Sequence, residues 1–263
     1  MDLQLSQKIA LVTGSTAGIG NGIATALAAE GATVIVNGRS ETAVEAAVAK
    51  MKTETQGEVV GFAGDLSVAS VADALVRKHP SVDILVNNLG IFEVRAFADI
   101  TDADWQRFFD VNVLSGARLA RAYLPGMLKR NWGRIIFISS ESGLQIPAEM
   151  IHYGMTKAAQ IAISRGLAEL TAGTGVTVNS ILPGPTRSRG VGDFVVEMAA
   201  AGGTTPAEVE KQFFQTARPT SLLKRFATPE EVASMVAYVA SPLSSATNGA
   251  ALRVDGGVVK TAF

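Results

Sequence analysis

The sequence contains no cysteine. Disulfides, thiolate nucleophiles and cysteine-held metals are therefore excluded. Its two histidines, His79 and His152, stand far apart in the chain, so a histidine-built metal site is excluded as well. An excess of one charge is also missing. Lys and Arg number 23 against 24 Asp and Glu, for a formal net charge of -1, and no basic block is interleaved with aromatics. Neither nucleic acid nor an anionic membrane finds an electrostatic footprint. No apolar run reaches the length of a bilayer span. The start, Met1-Asp2-Leu3-Gln4-Leu5, lacks the basic region and apolar core of a secretory signal, and a soluble cytoplasmic protein is expected. Linkers, repeats and low-complexity stretches are absent too. With 48% hydrophobic residues over 263 positions, one domain spanning 1–263 with a sizeable core is expected.

What is present is a regular alternation. Apolar runs at Lys8–Val12, Thr33–Val36, Val59–Ala63, Asp83–Val86, Arg134–Ser139, Val176–Ile181 and Ala250–Val254 predict seven strands. Helical patterns lie between them, including Thr42–Thr53, Val68–Lys78 and one long helix over Asp102–Arg130. Another helix is expected to begin at Pro229, with Thr228 as N-cap and acids in its first turn. Strands alternating with helices imply an α/β doubly wound parallel sheet covered on both faces. Residues 187–227 break the rhythm. Two amphipathic pieces, Val191–Ala201 and Pro206–Ala217, carry Phe194, Val195, Met198, Phe213 and Phe214. They read as a mobile apolar lid or as plain surface helices.

The first strand stops at Thr13-Gly14-Ser15-Thr16-Ala17-Gly18-Ile19-Gly20, and a helix follows. In that context the glycines permit a tight turn and let a pyrophosphate approach the helix N-terminus. A plain helix start with flexible glycines is the competing reading. After the second strand comes Asn37-Gly38-Arg39-Ser40, where dinucleotide folds often carry an acid for the ribose 2′-hydroxyl. Gly38 leaves room and Arg39 offers a planar donor fork, which favours NADP(H) while leaving NAD(H) open. Otherwise Arg39 is a solvated residue opening the next helix. Asp65 could accept the adenine amino group with Leu66 packing on the ring, or Asp65 could cap a helix. Asn87-Asn88-Leu89-Gly90 ends the fourth strand at the rim where such sheets bind ligands, or forms a simple turn. Asn112 lies mid-helix, where Asn is disfavoured, which suggests a packed polar role. Tyr153 and Lys157 are four apart. On a helix they share a face, and a cation beside the phenol would favour phenolate. Ser140 stands at the end of the fifth strand, within reach of a loop folding back.

Together these residues resemble the short-chain dehydrogenase/reductase family from about Lys8 to Gly257. Thr13-Gly14-x-x-x-Gly18-Ile19-Gly20 is similar to its cofactor turn, and Asn87-Asn88-Leu89-Gly90 to its Asn-Asn-Ala-Gly motif, with Leu89 in place of the usual alanine. Asn112, Ser140, Tyr153 and Lys157 fall where the family places its catalytic tetrad. Pro183, Gly184, Thr186 and Ser188 match the segment beside the nicotinamide, and Asp255-Gly256-Gly257 resembles the closing motif. The resemblance implies sheet order 3-2-1-4-5-6-7 and a homotetramer or homodimer. It also implies hydride transfer between nicotinamide and a small-molecule ketone or secondary alcohol. Tyr153 would then be the general acid/base, assisted by Ser140 and by Lys157, whose charge draws the phenol pKa down. Asn112 would hold a water that links Lys157 to solvent. Glu141, Leu144, Ile146, Met150 and Phe194 are expected as substrate-pocket walls, while His152 is expected to point away. Two other functions fit the same fold: a non-catalytic dinucleotide-sensing protein and a carbon–carbon double-bond reductase.

Overall fold

The computed structural model describes residues 2–262, with the side chains of Arg189 and Phe194 left aside. In chain order it runs β1 (Ile9–Val12), α1 (Gly18–Ala29), β2 (Thr33–Gly38), α2 (Glu41–Glu54), β3 (Val59–Ala63), α3 (Ala69–Lys78) and β4 (Ile84–Asn87). Then come α4 (Asp102–Phe109), α5 (Ser115–Lys129), β5 (Gly133–Ile138), α6 (Ile151–Glu169) and β6 (Val176–Pro183). The chain closes with α7 (Arg189–Ala201), α8 (Pro206–Thr216), α9 (Pro229–Ala240) and β7 (Ala251–Val254). The strands form one parallel sheet in the order β3-β2-β1-β4-β5-β6-β7, as the resemblance implied.

Alternation along each strand divides the core in two. Val12, Val34, Val36, Val86 and Ile136 face one side and pack with Ile23 and Leu27 of α1 and Val232 and Val236 of α9. Leu11, Ile35, Leu85, Ile135 and Phe137 face the other side and meet Leu75 of α3 and Leu119 and Met127 of α5. Each such side chain, fully buried, contributes roughly 1.5–3 kcal/mol. A third, smaller cluster of Val195, Phe214 and Phe226 holds α7 and α8 together, apart from the sheet.

The expected helix over Asp102–Arg130 is divided. A wide π turn at Asp110–Leu114 separates α4 from α5. The cause is tertiary: the Asn112 side chain takes up both polar groups of Ile91, accepting from its N–H at 2.8 Å and donating to its carbonyl at 3.0 Å. Such local widening of a helix often accompanies a functional site. α9 starts as expected, with Thr228 and Glu231 forming a reciprocal cap.

Candidate active site

The strand order reverses between β1 and β4, so a crevice opens above their carboxyl ends. The turn after β1 lines it. Gly14 and Gly18 adopt φ of 60° and 57°, a region side chains rarely enter. A Cβ on Gly20 would lie 2.4 Å from the Gly14 carbonyl, so only glycine lets α1 begin this close. No side chain caps α1 at Ala17, and no acid stands in its first turn. Its leading N–H groups are therefore open to an anion. Asn88 pins the turn, donating to the carbonyls of Thr13 (2.9 Å) and Gly14 (3.0 Å). Asn37, which lies within β2 rather than following it, accepts from Gly14 N–H at 3.1 Å.

Thr16, Ile19 and Arg39 remain at this cleft, with Arg39 exposed. Three expectations change. Ser15 is wholly buried, its hydroxyl donating to the Val12 carbonyl at 2.7 Å, so that side chain serves the turn and not a ligand. Leu66 sits in the core with Leu11 and Ile35, leaving only its backbone near the rim. Gly38 is a glycine because Thr16 packs on it: a Cβ would lie 2.5 Å from Thr16 Cγ2. Asp65 accepts from Ser67 N–H and hydroxyl through one oxygen, stabilising the turn before α3. Across the cleft, Ser188 faces Gly18, and Thr186 donates to the Gly184 carbonyl at 2.9 Å.

The four residues expected as a tetrad lie near one another. Ser140 follows β5, and α6 carries Tyr153 and Lys157 on one face, with Lys157 Nζ 5.6 Å from the centre of the tyrosine ring. Lys157 donates to the Ile138 carbonyl (2.9 Å) and to Gln160 Oε1 (3.1 Å). Asn112 donates to Thr156 Oγ1 at 2.9 Å, joining the π turn to α6. Gly90 lies beside both Lys157 and Asn112. Burial, and then the Glu141 carboxylate, push the Tyr153 phenol above its ordinary range; the Ser140 hydroxyl and Arg218 work the other way. The phenol thus stands high where a lowered value was expected, because desolvation and Glu141 outweigh Ser140 and Arg218. Burial also lowers Lys157 to about 8, opposed by Glu141.

Ser140, Tyr153 and Lys157 border a cavity of about 770 Å³ shared with the cleft, which reaches Ile19, Asn88, Pro183, Gly184 and Ser188. Its outer wall is apolar: Ile91, Phe92, Val195, Val209, Phe213 and Phe226. Its polar pole is Glu141, Glu149 and Arg218. Arg218 Nε donates to Glu141 at 3.2 Å, and Arg218 Nη1 donates to Glu149 at the same distance. Glu141 and Met150 line the cavity as expected. Leu144 and Ile146 do not; both are half exposed, and Ile146 packs over Gly154. The Phe194 side chain lies outside the described residues. His152 points away, buried against Phe108 with ring centres 4.1 Å apart. Arg218 has no periodic signature in the sequence because it lies in a loop; its one signal there is a lone Arg between the lid aromatics and Pro219. Among the described residues no group of three or more acidic or histidine side chains is placed to hold a metal ion, and no helix is long and apolar enough to cross a membrane.

A family model described as enoyl-(acyl carrier protein) reductase matches residues 14–259. The chain is 48% identical over 264 residues to the oxidoreductase YvaG of Bacillus subtilis, covering 100% of both. It is 36% identical to a D-beta-hydroxybutyrate dehydrogenase of Cupriavidus necator, covering 97% of this chain and 99% of that one. Its structure superposes on that of L-sorbose reductase from Gluconobacter frateurii, complexed with NADPH and L-sorbose, with a TM-score of 0.93 and 31% identity, covering 99% of this chain and 100% of that one. With its sheet order and its glycine turn, the chain belongs to the short-chain dehydrogenase/reductase family of oxidoreductases.

Proposed function

We propose that the chain catalyses reversible NADPH-dependent reduction of a neutral ketone to a secondary alcohol, with Tyr153 as general acid. One observation carries most of the weight: Ser140, Tyr153 and Lys157 border a cavity continuous with the glycine-turn cleft. The cofactor fits the residues present. Uncapped N–H groups of α1 would hold the pyrophosphate, Arg39 the 2′-phosphate, Asp65 and the Leu66 backbone the adenine edge, and Gly184 and Ser188 the nicotinamide side. Bound NADPH supplies the hydride. Tyr153 gives its proton to the carbonyl oxygen as charge develops there, and Ser140 orients that oxygen. Lys157, anchored by Ile138 and Gln160, keeps a positive charge below the ring.

The polar pole supports a neutral substrate. Three carboxylates, Glu93, Glu141 and Glu149, line the cavity against the two cations Arg218 and Lys157, so the lining carries an excess negative charge and repels a substrate carboxylate. A hydroxybutyrate-like anion is thus disfavoured. A hydroxyl-bearing ketone suits the pole, as the NADPH and L-sorbose complex of the superposed reductase suggests. The test is NADPH oxidation over pairs of ketones differing only by a carboxylate. Neutral members should show kcat/KM at least tenfold higher. Preference for the anions would overturn the substrate reading, and activity confined to enones would favour double-bond reduction.

A further inference from the structure

Most polar side chains around the substrate cavity are already engaged. Glu93 accepts from two arginines that stand outside the lining, through Oε1 from Arg95 Nε at 3.0 Å and through Oε2 from Arg107 Nη2 at 2.7 Å. Both oxygens of Glu141 are taken, one by the Ser140 hydroxyl and the other by Arg218 Nε. The Ser139 and Thr186 hydroxyls donate to backbone carbonyls. Arg218 and Glu149 differ. Arg218 gives Nε to Glu141, and gives Nη1 to Glu149 and to the Ala217 carbonyl, which leaves the hydrogens of Nη2 outside these bonds. Glu149 receives Arg218 on Oε1 and keeps Oε2. Both residues line the cavity.

The pair is held in place. The Arg218 side chain is only 10% exposed, and its guanidinium carbon lies 5.9 Å from the centre of the Phe213 ring. Its backbone N–H donates to the Phe213 carbonyl at 3.0 Å, and the Glu149 carbonyl accepts from Arg95 N–H at 3.0 Å. A guanidinium donor beside a carboxylate acceptor matches a group that accepts and donates at once. A hydroxyl does both, whereas a methyl group does neither and displaces water from two charged groups without replacing its bonds. One carboxylate, that of Glu141, separates Ser140 from Arg218, so the matching hydroxyl belongs close to the reacting carbonyl. The phenol also has an apolar neighbour. Phe92 stands edge-on to Tyr153, with ring centres 6.4 Å apart.

We propose that Arg218 Nη2 and Glu149 Oε2 bind a hydroxyl on the carbon next to the ketone, and that this contact fixes which way round the substrate lies. The proposal rests on the ketone-reductase reading. The hydroxyl accepts from Nη2 and donates to Oε2. The hydroxylated arm then lies toward Arg218 and the apolar arm against Phe92, while the carbonyl oxygen stays with Tyr153 and Ser140. With both arms assigned, hydride reaches one face of the carbonyl carbon, and one enantiomer of a vicinal diol results. Exchanging the arms would present the other face and give the mirror product. Arg218 and Glu149 are thus specificity-determining residues that move no proton.

The test compares NADPH oxidation with hydroxymethyl pentyl ketone and with ethyl pentyl ketone, which differ by a hydroxyl in place of a methyl group. Chiral chromatography of the alcohols supplies a second readout. In the wild type, kcat/KM should be about tenfold or more higher for the hydroxylated ketone, mainly through KM, and one diol enantiomer should predominate by about tenfold. In Arg218→Met the preference should shrink to about threefold or less, and the enantiomer ratio of the diol should fall with it. Because each variant is measured on both ketones, a general loss of folding or of cofactor binding cancels from the preference. A wild type without the preference would overturn the proposal, as would an enantiomer ratio that stays put in Arg218→Met. Should Arg218→Met fail to fold, Glu149→Ala serves, since that side chain is half exposed. Its preference should fall about threefold, and an unchanged preference overturns the proposal. Absence of NADPH oxidation with either ketone would instead remove the reading beneath it, so the two failures are distinguishable.

Discussion

The cofactor cleft and the substrate cavity share Tyr153 but are built by different means. The cleft is made of backbone: two positive-φ glycines, an uncapped helix start and a turn pinned by Asn37 and Asn88. All of it hangs from strand ends set by the sheet. The cavity is made of side chains brought from the segments that follow β4, β5 and β6, far apart in sequence, and its buried ionic tie, Glu141 to Arg218, spans 77 positions. Backbone geometry tolerates few substitutions, whereas a side-chain wall tolerates many. One fold can thus keep its cofactor chemistry and change its substrate.

The sharpest way to break this contrast is at Gly20. Gly20→Val should weaken NADPH binding by more than about 100-fold, since its Cβ has no room beside Gly14 and Asn88. Nicotinamide fluorescence would measure it; near-normal affinity would mean the cleft is less backbone-determined than described. Next is Lys157. Its folded-state value of about 8 lies below the ordinary 10.5, so below pH 8 both folded and unfolded chains hold the proton and the desolvation cost is fully present. Between about pH 8 and 10.5 the unfolded chain binds more protons, so stability rises with pH by up to ~3 kcal/mol. Urea unfolding should show this rise in the wild type and lose it in Lys157→Met. A variant with the same rise would place the cost elsewhere.

Arg39→Glu should raise the NADPH dissociation constant about 10- to 50-fold, a cost of roughly 1.4–2.3 kcal/mol, and change NADH binding little. Equal effects on both cofactors would deny Arg39 its 2′-phosphate role. Replacing Gly38 as well would confuse the result, because Thr16 occupies the space. The smallest effect is expected in the cavity wall. Glu149→Gln should improve kcat/KM for ketones bearing a carboxylate about two- to fivefold, in keeping with the modest worth of a half-exposed charge. A loss for those substrates would reverse the assigned electrostatics.

The same contrast explains what could be read from sequence. Strand ends and turns depend on local patterns, so Val59–Ala63 and the Thr228 cap were legible to the residue. Tyr153 and Lys157 needed only helical spacing. The π turn was hidden because the apolar periodicity of Asp102–Arg130 runs through it, and its cause is a bond from Asn112 to a loop 21 positions earlier. Leu144 and Ile146 were misplaced because apolar character alone does not say which way a side chain turns after the tight turn at Glu141–Gly143. Gln160 carried no pattern at all; it bridges Lys157 and the Asn112 carbonyl only once α6 lies against the π turn.

The central claim is that Tyr153 moves the proton that accompanies hydride transfer. The direct measurement is steady-state NADPH oxidation with a neutral ketone by Tyr153→Phe, beside its NADPH affinity. Turnover should fall about 100- to 10,000-fold, the usual worth of a general acid, with cofactor affinity nearly unchanged. Turnover within tenfold of the wild type, at intact affinity, would contradict the account.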